Sequence, residues 1–251
     1  MCTLILAHGA DPDYPVIVGA NRDESFHRPS SPPSIHERAG MRILAPTDER
    51  AGGTWLGVNE AGVFCGITNG FGPPTDPDRC SRGELVFRAI EEPTAAEAAA
   101  AIGEVSAGDY NAFHLVIADP QQAHLVVSDG DLLTATELQT DIAVITERSF
   151  GAADNRRKVR ARRMVLAARE RGDLDVEALQ TILTERDSES INAICVTLPG
   201  IDYGTRSSTI LRLAADGGGE MWHAEGPPHE TEYEDMSDLL ADVYLSGQTT
   251  I

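Results

Sequence analysis

Met1-Cys2-Thr3-Leu4-Ile5-Leu6-Ala7-His8 opens the chain, and its reading decides the rest. The apolar, β-prone run predicts a strand over 2–8. Trimming of an initiator methionine is favoured when the next side chain is small, and cysteine qualifies. One residue would then carry both a thiol and a free α-amino group. An α-amine ionises near about 7.7–8.0, so part of it is neutral and basic at pH 7. A thiol, at about 8.5, needs only modest activation to attack a carbonyl. Cys2 could therefore supply nucleophile and base together. The alternative is a small apolar residue that starts a core strand.

Working outward, residues 16–22 read as a second strand, joined to the first by the turn-rich Gly9-Ala10-Asp11-Pro12-Asp13-Tyr14-Pro15. Val16-Ile17-Val18 suits a strand buried on both faces and runs into Gly19-Ala20-Asn21-Arg22-Asp23-Glu24. Polar residues closing such a strand are where a scaffold presents chemistry; the plain alternative is a solvated strand end. Residues 25–50, with Pro29, Pro32, Pro33 and Pro46 and serines at 25, 30, 31 and 34, read as a long loop of the lid or pocket-wall kind. Gly52-Gly53-Thr54-Trp55-Leu56-Gly57-Val58 and Val63-Phe64-Cys65-Gly66-Ile67-Thr68-Asn69 flank Asn59-Glu60-Ala61-Gly62 as a hairpin. Asn69 lies at its mouth, followed by Gly70-Phe71-Gly72.

Ser81 with Glu84 makes a capping-box pattern for one helix, and Thr94 opens an Ala-rich second, to about Val105. Strands follow at 112–118, 123–128, 132–137 and 142–146. A helix over 154–171 holds eight basic residues, read either as a patch for an anionic group or as a solvated face. Another spans about 175–186. Asp202-Tyr203-Gly204-Thr205-Arg206-Ser207-Ser208-Thr209 enters a last hairpin, and the acidic tail 230–242 reads as a short helix or a frayed end. Strands gather at both ends of the sequence with helices between, which predicts antiparallel sheets with helices outside rather than βαβ units. With no linker, 1–251 reads as a single domain.

Composition narrows the function. The net charge is −20, and Lys158 is the single lysine. A chain so acidic repels nucleic acid and anionic membrane surfaces over most of its area. An acidic, Lys-poor, Arg-rich composition resembles that of salt-loving organisms, where salt screens self-repulsion; an unusually acidic mesophile is the alternative. No apolar run approaches the ~18–20 residues of a membrane span. No secretory signal is expected at the N-terminus. Cysteines 2, 65, 80 and 195 stand apart without a C-x-x-C pair, which argues against a zinc site and fits a reducing cytoplasm.

These stretches together resemble a known family. "MCTLIL" at the start, "GANRDE" at 19–24, "GGTWLGVNEAGVFCGITN" at 52–69, "SRGELV" at 81–86 and "YGTRSST" at 203–209 are similar to the NRDE family, which includes the transport and Golgi organisation 2 homologues. The resemblance implies an α+β fold of N-terminal nucleophile hydrolase type: a four-layer αββα sandwich of two antiparallel sheets flanked by helices. A looser similarity reaches choloylglycine hydrolases and penicillin V acylases. It implies that Asp23 binds the Cys2 amine, that Asn69 belongs to the oxyanion hole, and that Arg206 matches a late active-site arginine. Two positions depart from that pattern. Ala20 stands where those enzymes have an arginine, so Arg22, two residues along the same face, would compensate. Glu147 follows Val144-Ile145-Thr146 where an oxyanion asparagine usually stands.

The expected catalytic set is therefore Cys2, Arg22, Asp23, Asn69 and Arg206. Asn21, Glu24, Trp55, Thr68, Phe71, Glu147 and Ser207 are expected to bind substrate, and no metal is expected. The implied reaction is amide or thioester cleavage, or acyl transfer, on an amphipathic small molecule bearing a carboxylate or phosphate. The alternative is a non-catalytic carrier of haem, lipid or acyl-coenzyme A. No cofactor is required for the first; haem would be a ligand in the second, with His27 or His36 as candidate contacts.

Overall fold

The computed structural model describes residues 2–245 apart from 73, 153–154, 188–189, 199 and 216. Position 154, where the basic helix was expected to start, lies outside the described residues. In chain order the strands are β1 Thr3–His8, β2 Val16–Glu24, β3 Ser30–Arg38, β4 Met41–Asp48, β5 Leu56–Asn59, β6 Phe64–Asn69, β7 Phe113–Ala118, β8 Ala123–Ser128, β9 Leu133–Glu137, β10 Ile142–Thr146, β11 Gly204–Leu213, β12 Gly219–Ala224 and β13 Glu234–Asp235. The α-helices are α1 Gly83–Ile90, α2 Ala95–Gly103, α3 Arg156–Arg171, α4 Val176–Leu183 and α5 Ser237–Leu245. No helix among the described residues is long and apolar enough to cross a membrane.

Two antiparallel sheets result. One has strand order β10-β1-β2-β11-β12-β13 and the other β3-β4-β5-β6-β7-β8-β9. Alternation along each strand sorts the core into three apolar layers. Leu4, Leu6, Val18 and Leu211 of the first sheet meet Val58, Phe64 and Val116 of the second. Ile5, Ile17 and Val144 turn the other way onto Val165 of α3 and Leu179 and Leu183 of α4. Cys65, Leu115 and Ile117 face Leu85 and Ile90 of α1 and Ile102 of α2. The order is helices, sheet, sheet, helices: the four-layer αββα sandwich. Cys65 is thus a packed core thiol.

Two local expectations are corrected. Residues 25–50 are not a loop: β3 and β4 pair around Ala39 and Gly40, both at positive φ. The prolines are tolerated because β3 is an edge strand whose ladder shifts register between Ser31 and Ser34, where Pro32 and Pro33 sit. Ser81 does not cap α1. Arg82 holds the N-cap position without a side-chain cap bond. Thr94 does cap α2, its Oγ1 accepting the Glu97 N–H. The acidic tail is ordered as β13 and α5, with Leu240 and Val243 buried in the inter-sheet core.

The start of α1 is fixed by backbone crossing. A Cβ on Gly83 would lie 2.8 Å from the Thr54 carbonyl oxygen and 2.9 Å from its nitrogen. Main chain cannot yield as a side chain can, so Gly83→Ala is expected to cost about 1–3 kcal/mol. Urea unfolding measures it, and an unchanged midpoint would show that the crossing relaxes freely.

Candidate active site

The site grows from one row across three neighbouring strands. The β1–β2 ladder ends at Thr3 and Asn21, so one step further Cys2 comes level with Arg22. On the other side of β2, Arg22 pairs with Ser207 of β11. All three share the face of Leu4, Val18 and Leu211, which looks toward the second sheet. Ala20, on the same face, is packed in the inter-sheet core. Arg22 is therefore the first cation on that side of β2.

A cleft of about 320 Å³ opens at this end of the sandwich. Cys2, Arg22, Asp23, Glu24, Trp55 and Asn69 all line it, with Arg28, Asp48, Arg79 and Arg82. Arg22 is buried; its Nη2 donates to Asp48 Oδ2 at 2.7 Å and its guanidinium lies 4.2 Å over the Trp55 ring. Arg22 Nη1 is buried without a partner. Burial alone would raise Asp48, but the Arg28 bond at 2.7 Å and the charges of Arg28 and Arg22 hold its carboxyl below the ordinary range. Glu24 pairs with Arg28 at 3.5 Å.

Asp23 follows Arg22, so its carboxylate turns toward α3 while the residue still borders the cleft at the strand end. Its Oδ2 accepts from Arg157 Nη1 at 2.9 Å and its Oδ1 from Thr205 Oγ1 at 2.7 Å. Burial raises the Asp23 carboxyl, against the Arg157 charge and the Thr205 bond. Burial also pushes the Cys2 thiol up, as does the Asp23 carboxylate; the Asp23 N–H and the Arg22 charge oppose this.

Several expected residues are placed elsewhere. Arg206 is the extra residue of a β-bulge between Thr205 and Ser207, which turns it out of the row; its Nη1 pairs with Glu225 at 2.7 Å, away from the cleft lining. Asn21 faces the helix layer, donating to the carbonyls of Leu183 and Ile194 at 2.9 Å each and accepting from Ser208 Oγ at 2.6 Å. Thr68 is buried, with Oγ1 3.2 Å from His114 Nδ1. Phe71 stands 46% exposed outside the cleft lining. Ser207 is buried beside Arg22 with no partner for its Oγ, outside the lining. Glu147 lines a separate small pocket with Arg157 and Ile191. His27 is largely exposed and His36 bonds the Ala45 carbonyl at 3.0 Å; neither lines the cleft.

Arg157 and Arg82 are the residues that sequence reasoning missed. Arg157 was one of eight cations on α3. Its mark was its phase: it shares the buried stripe of Ala161, Val165 and Ala168, and a cation on such a stripe needs a buried acid. Arg82 carried no mark beyond its place in "SRGELV".

The sequence model of the Transport and Golgi organisation 2 family matches residues 1–225. The chain belongs to this family. Transport and Golgi organization protein 2 homologs from Bos taurus and Homo sapiens are each 27% identical to it, over 81% of this chain and 84% of theirs. Among solved structures, a mutant of the conjugated bile acid hydrolase from Clostridium perfringens superposes with a TM-score of 0.61, at 12% identity, over 95% of this chain and 93% of that one. The Caenorhabditis elegans ortholog of N-acylethanolamine-hydrolyzing acid amidase gives a TM-score of 0.61, at 12% identity, over 97% of both chains. At such identities the likeness is one of fold. This member of the Transport and Golgi organisation 2 family has the N-terminal nucleophile hydrolase sandwich, a fold compatible with amide hydrolysis.

Proposed function

We propose that the protein is a cysteine N-terminal nucleophile amidohydrolase or acyltransferase. The observation that carries this reading is that Cys2, Asp23 and Asn69, from three different strand ends, line one cleft. Once Met1 is removed, the freed α-amine of Cys2 takes the thiol proton as Sγ bonds to the carbonyl carbon of an amide or thioester. Asn69 donates to the developing oxyanion. The bond to the leaving group breaks, and the proton departs with it. Water then attacks the acyl-thioester through the same amine, releasing the acid and the thiol; another nucleophile in place of water gives acyl transfer. Asp23, held by Arg157 and Thr205, orients and polarises the amine.

The test is the mass of the mature chain from its own host, followed by incubation with activated amides. The expected results are a chain lacking Met1 and an acyl adduct confined to Cys2. A chain that retains Met1 throughout would sink the mechanism.

A carrier role is the second reading, and the Cys2 thiol, half-buried at the cleft and pushed up by its surroundings, favours it. The ligand would be an amphipathic molecule such as haem, a lipid or acyl-coenzyme A. Haem titration and calorimetry with acyl-coenzyme A test it: binding that survives Cys2→Ala, with no turnover by the parent protein, supports the carrier.

A further inference from the structure

The charges along the cleft cancel unevenly. Arg22 and Arg28 share Asp48, Arg28 also meets Glu24, and Arg79 lies 3.8 Å from Asp76. Asp23 is matched from behind by Arg157. Arg82 alone among the lining arginines has no carboxylate within 4.0 Å among the described residues; its Nη1 donates to the Ala112 carbonyl at 2.9 Å. Arg22 adds a second opening, a buried Nη1 with no acceptor. A buried guanidinium N–H left unbonded costs free energy that an incoming oxygen would recover.

We propose that this cleft takes an acyl compound bearing a carboxylate, and that Arg82, aided by Arg22 Nη1, holds that carboxylate beside Cys2. The inference rests on reading the cleft as a nucleophile site and adds its substrate class. A planar two-oxygen anion fits guanidinium edges, which donate along parallel N–H bonds. Charge counting selects a monoanion. One cation is left over, and the carboxylates of Glu24 and Glu147 act on Arg82 from farther away, so a dianionic phosphate would meet uncompensated repulsion. Arg82 is thus the specificity residue, while Arg206 pairs with Glu225 outside the cleft.

Alkylation of Cys2 by iodoacetate and by iodoacetamide tests this without a known substrate. The two reagents share their chemistry and differ by one carboxylate. Rates are read at the Cys2 peptide by mass spectrometry, apart from Cys80, and normalised to free cysteine. The expected result is a preference for iodoacetate of about tenfold, the size of one charge-assisted contact. It should persist in 1 M KCl, where long-range fields are screened within about 3 Å. Arg82→Gln should abolish it, Arg82→Lys should keep part of it, and Arg206→Gln should leave it intact. Should Arg82→Gln melt early, Arg82→Lys carries the comparison. Equal normalised rates, or the same loss in Arg206→Gln as in Arg82→Gln, would overturn the carboxylate assignment with the nucleophile still standing. If neither reagent modifies Cys2, the nucleophile reading falls as well.

Discussion

Cys2→Ala is expected to lower amide turnover at least about a thousandfold while leaving the fold unchanged. The change removes one sulfur from a half-buried side chain just before β1, so its cost in stability is small. Ligand binding should survive, because Arg22, Trp55, Asn69 and Arg82 remain in the cleft. Cys2→Ser sharpens the result. A hydroxyl in the same place ionises far less readily than a thiol, so the expected outcome is a residual rate well below that of the parent. The measurement is single-turnover kinetics on activated amides, with a melting curve for each variant. Turnover in Cys2→Ala equal to that of the parent would show that the chemistry lies elsewhere.

Arg157→Leu is the second large effect, and it is one of stability. Arg157 Nη1 donates to a carboxylate sealed in the protein, and its Nη2 donates to the Ile191 carbonyl at 2.7 Å. Removing the cation strands a buried charge, which typically costs about 3–5 kcal/mol. The double variant Arg157→Leu, Asp23→Asn should recover much of that loss, since it removes both charges. The pH dependence has a definite sign. Burial already raises the folded-state pKa of Asp23 above its ordinary value, and loss of Arg157 raises it further. A carboxyl with a raised folded pKa binds its proton more tightly when folded, so its penalty is absent at low pH and grows as pH rises through the folded value. The deficit of Arg157→Leu should therefore be largest near neutral pH and shrink on acidification toward the ordinary carboxylate range. Urea unfolding at several pH values measures this; a deficit independent of pH would mean that the lost contact is one of packing, not of charge.

What the sequence shows of this protein follows the range of each interaction. Alternation at β1 and β2 and the Gly-rich hairpin at 52–69 are local, and they lead to the two-sheet sandwich. Asp23, Asn69 and Trp55 sit in short motifs at strand ends, where a reader looks for chemistry. The Asp23–Arg157 pair spans 134 residues, and no local pattern joins its ends. Arg206 misleads for a different reason. Its motif is in place, but one inserted residue in β11 shifts its direction, and register is not written in a single strand. The β3–β4 hairpin was hidden because prolines read as loop, although an edge bulge accommodates them. Asn21 misled because an asparagine in a polar strand-end motif also serves as a tie between β2 and the helix layer.

Arg22 and Asp23 are consecutive, so β2 acts as a partition wall. Its front side fronts the chamber where a ligand enters; its back side carries the acid that sets proton affinity and is wired to α3. If the proposed hydrolase reading holds, what the protein accepts and the acidity at which it works would be controlled from opposite sides of a single strand. Substitutions along α3 should then move the pH optimum and leave ligand preference alone. Substitutions around Trp55 and Arg82 should do the reverse.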